Sequence, residues 1–225
     1  MKRLISLIVL IFTSFSLYAQ NDVTTFLGIP VDGFKPEMIK QLKAKGFVSS
    51  IFDADILEGE FNGQDVDVHI VTNNNKVYRI AVFDKNTISE SSIKNRFNIL
   101  CNQFTNNQRY ISFLDYTIPA EEDISYEMNI HDKRYEAHFY QNLSDETCKS
   151  LAAEVESIIY SKYLPEQLEN ATEEIKNEVI SLTSRLTYEA LAKKTVWFTI
   201  EEYGGEYYIA MYYDNGYNQA NGEDL

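Results

Sequence analysis

Asn62-Gly63 constrains the fold of this chain more than any other feature. A two-residue link with both residues at positive φ joins antiparallel strands because its twist matches theirs, and Asn-Gly adopts those angles at least cost. The flanks agree. Residues 55–61 (DILEGEF) lead in, and 65–72 alternates, with Val66, Val68 and Ile70 on one side and Asp65, Asp67 and His69 on the other. Asn73-Asn74-Asn75 supplies a second turn, and 76–83 follows with Tyr78, Ile80 and Val82 on one face. The segment is therefore an antiparallel meander.

Helices flank it. Pro36 suits a first helical turn and Gly46 a C-terminal stop, which bounds a helix over 36–45. Ser89 is expected to cap a helix whose Ile93, Phe97, Leu100, Cys101 and Phe104 form one apolar face. Strands are expected at 110–116, 125–131 and 134–140, the last two joined near Asp132-Lys133. Ser144 then caps a helix lined by Cys148, Leu151, Val155, Ile158 and Ile159. Beyond Pro165, residues 166–192 carry a helical period, and 196–200 and 207–213 form a closing hairpin around Gly204-Gly205. Strands grouped in meanders with helices between them define an α+β class with a mainly antiparallel sheet. The order strands-then-helix occurs twice, at 55–105 and 124–163, which suggests a weak duplication. No linker rich in Pro, Gly or Ser divides residues 20–225, so one domain is expected, with 20–108 and 109–225 as its possible lobes.

Residues 1–19 have the order of a cleaved secretory leader: Lys2 and Arg3, an apolar run from Leu4 to Leu17 interrupted by hydroxyls, then Ala19 before Gln20. Cleavage after Ala19 would deliver the protein to the periplasm or the extracellular space. No later segment is apolar enough to span a membrane. Removing the leader takes the net charge from -14 to -16, because it carries two cations and no acid. A surface so acidic repels phosphate backbones, which argues against nucleic acid as a partner. Two cysteines, Cys101 and Cys148, both fall on apolar helix faces. They either pair in an oxidising compartment or serve as small core hydrophobes.

Two stretches resemble a known group. FLGIPVDG (26–33), with EMIKQLKAKGF (37–47) and VHIVTNNNKVYRI (68–80), is one, and YYIAMYYDNGYNQANGEDL (207–225) is the other. Both are similar to a set of short secreted proteins of Gram-negative gut bacteria that carry no assigned function. The likeness covers the first third and the end of the chain. It implies export and transfers no catalytic residue. Element order alone also resembles the small periplasmic modules of the β-lactamase-inhibitor-like type.

Motifs for catalysis are lacking. His69, His131 and His138 have no partner at metal-ligand spacing; His69 falls on a wet strand face and His131 at an expected hairpin tip. Neither a Gly-rich phosphate loop nor a Gly-x-Ser-x-Gly elbow occurs. Asp53, Asp55, Glu58, Glu60, Asp65 and Asp67 offer paired carboxylates of the kind glycosidases use, but the alternation explains Asp65 and Asp67 as solvated. The tail presents hard oxygen ligands, and Asp214, Asn215 and Asp224 form a weak calcium alternative to a run of Asx turns. Tyr207, Tyr208, Tyr212, Tyr213 and Tyr217 are the binding candidates. Alternation sets Tyr208 and Tyr212 on one face and Tyr207 and Tyr213 on the other, leaving open which is exposed. The expectation is an exported, cofactor-free module that binds or inhibits a protein. A glycan-binding accessory protein using surface tyrosines is the alternative, and an enzyme of unrecognised type comes third.

Overall fold

The structure, a computed structural model, describes residues 22–220 and Gly222. The expected leader, its cleavage point after Ala19, and Asp224 lie outside the described residues. A small hairpin, β1 (Thr25–Phe26) and β2 (Ile29–Pro30), precedes helix α1 (Lys35–Ala44). A four-strand meander follows: β3 (Val48–Ser49), β4 (Ile56–Phe61), β5 (Gln64–Asn73) and β6 (Lys76–Asp84). The second half runs α2 (Glu90–Thr105), β7 (Tyr110–Ile111), α3 (Ile124–His131), β8 (Glu136–Gln141), α4 (Asp145–Lys162), α5 (Pro165–Glu169), α6 (Glu173–Ala192), β9 (Thr195–Tyr203) and β10 (Glu206–Asp214).

Eight strands form one antiparallel sheet in the order β3-β4-β5-β6-β10-β9-β8-β7. The strands-then-helix order expected at both 55–105 and 124–163 is not repeated, because 125–131 is helical; the two halves share a different order. Each half is a helix followed by four strands, and the halves meet at their last strands through the β6–β10 pairing, Val82 opposite Met211. The helical hairpin α4–α6 is inserted between the second and third strands of the second half. One buried cluster serves both halves: Val66, Val68, Ile80 and Val82 from the first, and Phe139, Val196, Phe198 and Ile209 from the second. Helices α1 and α2 cover this face through Met38, Leu42, Ile93, Phe97 and Leu100. Arg96 of α2 donates to both carboxylate oxygens of Asp84 on β6, at 2.6 and 2.7 Å, fixing the helix to the sheet.

Local chemistry explains most of the elements. Asn62 and Gly63 have φ of 51° and 73°, the mirror-image turn that their identity called for. Gly59 is glycine for a different reason: a Cβ there would meet the Phe47 ring at 2.6 Å. Ser144 accepts from the Thr147 N–H at 3.2 Å as an N-cap should. Ser89 occupies the N-cap position of α2, but its hydroxyl donates to Ser92 Oγ at 3.0 Å instead of capping the backbone.

Three expected elements differ. Residues 125–131 are helical, not extended. Asp123 accepts from the Tyr126 N–H at 2.8 Å, Ile124 and Met128 face the core one turn apart, and Asp132 closes the helix at φ 51°. His131 therefore sits in a last helical turn, paired with Glu127 at 2.9 Å, and not at a hairpin tip. The strand expected at 110–116 is only Tyr110–Ile111. The helix expected over 166–192 is two, because Thr172 caps a new start by accepting from the Ile175 N–H at 3.4 Å.

Candidate functional site: the outer face of the sheet

A strand buried on one side sends alternate residues to the other. The core face of β10 carries Tyr207, Ile209, Met211 and Tyr213, all buried. Tyr208 and Tyr212 point the opposite way and are half-buried. The same parity holds across the five central strands, so register alone determines which outward residues become neighbours. Tyr212 lies opposite Ala81 and Trp197, His69 opposite Ala81, and His138 opposite Trp197. One row thus crosses five strands: His69, Ala81, Tyr212, Trp197, His138.

The aromatics in this row touch. The Trp197 and Tyr212 rings have centroids 4.2 Å apart at an interplanar angle of 25°. His138 stacks on Trp197 at 5.6 Å and 11°. Two near-parallel rings whose centres are 4.2 Å apart must overlap face to face. They therefore stand upright on the sheet with their faces turned to each other and their edges outward. Phe83, one row away, meets Tyr212 and His69 edge-on at 6.0 and 5.1 Å. The Arg79 guanidinium lies 4.8 Å from the Tyr212 ring centre and 5.5 Å from that of Trp197.

Polar groups lock the row. Arg79 donates to both oxygens of Asp214, at 2.5 and 2.7 Å, and Trp197 Nε1 donates to the same carboxylate at 3.0 Å. The carboxylate beside it raises the pKa of the Arg79 guanidinium. Burial raises that of the Tyr212 phenol, so it stays neutral and able to donate. Buried Ala81, Ala210 and Thr199 separate the larger side chains and leave the face even. Glu136, Glu201 and Asp67, all half-buried, border it; Glu136 pairs with Arg134 at 3.2 Å and Asp67 with Lys85 at 3.5 Å, which leaves Glu201, of the three, without a cation partner among the described residues.

The five tyrosines therefore have different fates. Tyr208 and Tyr212 belong to the outer face. Tyr207 and Tyr213 are core residues, the former hydrogen-bonded to Ser125 Oγ at 2.6 Å. Tyr217 is exposed in the tail, its ring centre 5.9 Å from Lys193 Nζ. Sequence reasoning missed Trp197, His138, Phe83 and Arg79. Alternation along 195–203 and 136–141 marks Trp197 and His138 as outward, but their alignment depends on pairings between distant segments.

The other candidates are placed as follows. Asp214 has both carboxylate oxygens committed to Arg79. Asn215 is fully buried, donating to the Val31 carbonyl at 2.8 Å and accepting from the Tyr217 N–H at 2.9 Å. Asn218 donates to Asp32 and to the Val77 carbonyl, so the tail folds back over the first half. Among the described residues no cluster of three or more His, Cys, Asp or Glu could hold a metal. Cys101 is buried and Cys148 exposed, and both are free thiols in this structure. Cys148 lies with Leu151 and Val155 on the apolar face of α4, as expected, but that face is open: the three line a hollow between α4 and α6, and Cys148 is exposed.

Fold and site together define a class: an α+β protein with one antiparallel sheet, helices α1 and α2 on one face, and on the other an aromatic row bordered at β8 by α6, whose Tyr188 ring lies 6.1 Å from that of Tyr140. No family model, curated protein or solved structure matches the chain. Among the described residues, no helix is long and apolar enough to cross a membrane.

Proposed function

We propose that this protein is an exported, non-enzymatic module that binds or inhibits another protein through the outer face of its sheet. The stacked row His138–Trp197–Tyr212 carries the reading. A sugar packs its C–H groups against a free aromatic face, and here those faces are occupied by neighbouring rings and by Arg79. What the row presents is a flat line of ring edges. That arrangement suits a protein surface, where aromatic residues and arginine dominate binding and rigid rings lose little entropy on contact. Glu201, which has no cation partner among the described residues, favours a basic group on the partner. The glycan alternative, which requires free tyrosine faces, is weaker on the same geometry.

Export rests on residues 1–19, whose charged–apolar–small order is that of a cleaved leader. Mass spectrometry of protein secreted by its native host should find Gln20 at the N-terminus, and an intact Met1 would remove this part of the proposal. For the binding face, a photo-crosslinking residue is placed at Glu201 or, as an off-face control, at Lys176 on α6. Treatment of the native envelope fraction should link one protein to position 201 and not to 176, and Tyr212→Ala should abolish the link. A bound polysaccharide lost in the same variant would reverse the choice between protein and glycan. Equal capture at both positions would refute the face.

A further inference from the structure

Four two-residue hairpin turns hold both central residues at positive φ. Three of them begin with the residues that tolerate this: Asn62 (51°), Asn74 (49°) and Gly204 (63°). The fourth is Leu27-Gly28, at 51° and 78°. Leucine lacks the short polar side chain with which Asn offsets the left-handed conformation, so the turn itself does not account for it. Nor does burial, since Leu27 is 39% exposed. Strain kept at one turn when three others avoid it points to a role for the side chain.

That side chain lines two neighbouring hollows at the end of the core layer, of about 400 and 470 Å³, within the range of small-molecule sites. Leu27, Phe61, Arg109, Tyr110 and Tyr213 are common to both, and Leu100 and Phe104 extend the apolar lining of the second. The scaffold around them is firm. Phe26, beside Leu27, is fully buried between Phe61 and Tyr213, and Gln141 holds β1 in place by accepting from the Thr25 N–H and donating to its carbonyl, each at 2.8 Å.

Two cations line this cleft, Lys194, which is paired with Asp22, and Arg109, which is unusual for the molecule. Arg79, Arg96, Arg134 and Arg185 each form an ion pair with a carboxylate. Among the described residues Arg109 forms none, in a chain with 34 acidic against 20 basic residues. Its backbone is pinned, with the carbonyl accepting from the Asn142 N–H at 2.9 Å. The guanidinium Nε donates to Asn107 Oδ1 at 3.5 Å and has no carboxylate partner, while the cleft is part apolar and part polar, with Glu60 and the Lys194-paired Asp22 at its margins. A guanidinium without a carboxylate beside the Leu27, Phe61 and Phe104 wall is complementary to an anion attached to an apolar body.

We propose that this cleft binds an amphipathic monocarboxylate of the fatty-acid type, its head on Arg109 and its chain under Leu27 against Phe61 and Phe104. The site is separate from the outer sheet face and stands or falls independently of it. The test uses decanoate and decan-1-ol with the purified protein, followed by calorimetry and by the carboxyl signal of carbon-13-labelled decanoate. Decanoate should bind saturably at one site, and the alcohol at least about tenfold more weakly, the loss expected for one charge-assisted pair. Arg109→Gln should bring decanoate to the level of the alcohol and leave the alcohol unchanged. Leu27→Asn suits the turn and removes the apolar wall, so it should weaken both probes while the melting temperature holds or rises. No saturable binding up to millimolar decanoate, equal affinity for acid and alcohol, or indifference to either substitution would overturn the proposal.

Discussion

Replacing Asp214 by Ala tests how the outer face is held together. The substitution removes the acceptor of two Arg79 hydrogen bonds and of the Trp197 indole N–H. Breaking a buried ion pair from one side costs about 3–5 kcal/mol, because the remaining charge is left without a partner. The Asp214 side chain is 9% exposed, but that of Arg79 is 26% exposed, so water recovers part of this and about 2 kcal/mol remains. The indole N–H left without its acceptor adds about 1 kcal/mol. The expected loss is therefore about 3 kcal/mol. For a domain of this size that is a fall in melting temperature of roughly 6–12 °C. Urea unfolding gives the free energy, and Trp197, the one tryptophan in the chain, reports the local change through its emission. A double-mutant cycle with Arg79→Met isolates the pair. The double variant should be more stable than Asp214→Ala alone, because it leaves no orphan charge, with a coupling of about 2 kcal/mol. A loss below about 1 kcal/mol, or an additive cycle, would show that this pair does not lock the row.

Gly63→Val should destabilise by at least about 1 kcal/mol through φ alone, since no atom lies within 4 Å of the added Cβ; an unchanged thermal midpoint would contradict the turn. Cys148 should react with a maleimide in the folded protein, whereas Cys101, whose thiol burial pushes up to about 12 with help from Asp115, should react only after unfolding; mass spectrometry of labelled peptides distinguishes them. Burial alone would raise the Asp22 carboxyl, but the Lys194 ammonium and the Ser144 N–H donating to it hold it below the ordinary range. Its contribution to stability is thus present above about pH 4 and lost as pH falls through the lowered value, so Lys194→Met should flatten stability against pH in that acid window. Ile51→Ser and Phe52→Ser should shift stability by less than about 0.5 kcal/mol, because both side chains are about nine-tenths exposed; a larger loss by chemical denaturation would place the loop against the body.

Local rules determined the parts of this protein that depend on near neighbours in sequence. The turn at Asn62-Gly63 follows from which residues accept positive φ, and the two faces of β5 and β10 follow from a period of two. The Ser144 cap and the Asx bond from Asn215 to the Tyr217 N–H are likewise contacts within three residues. Where two local patterns competed, sequence alone misled. Residues 125–131 carry both an alternation and an Ile124/Met128 spacing, and the Asp123 cap with the core contacts of the latter decided for helix. Cys148 lies at a plausible apolar position of α4, yet only the way α4 packs exposes it. The candidate site shows the division most clearly. That Tyr208 and Tyr212 share a face was legible; that this face is the outer one was not, because orientation depends on where α1 and α2 settle. The row itself was legible nowhere in the chain. His69, Tyr212, Trp197 and His138 come from three separate stretches of sequence, and they align only because β10 inserts between β6 and β9 in one register. Pairing between distant strands is selected by the burial of both halves against a common core, a property of the whole fold to which no short window of sequence has access.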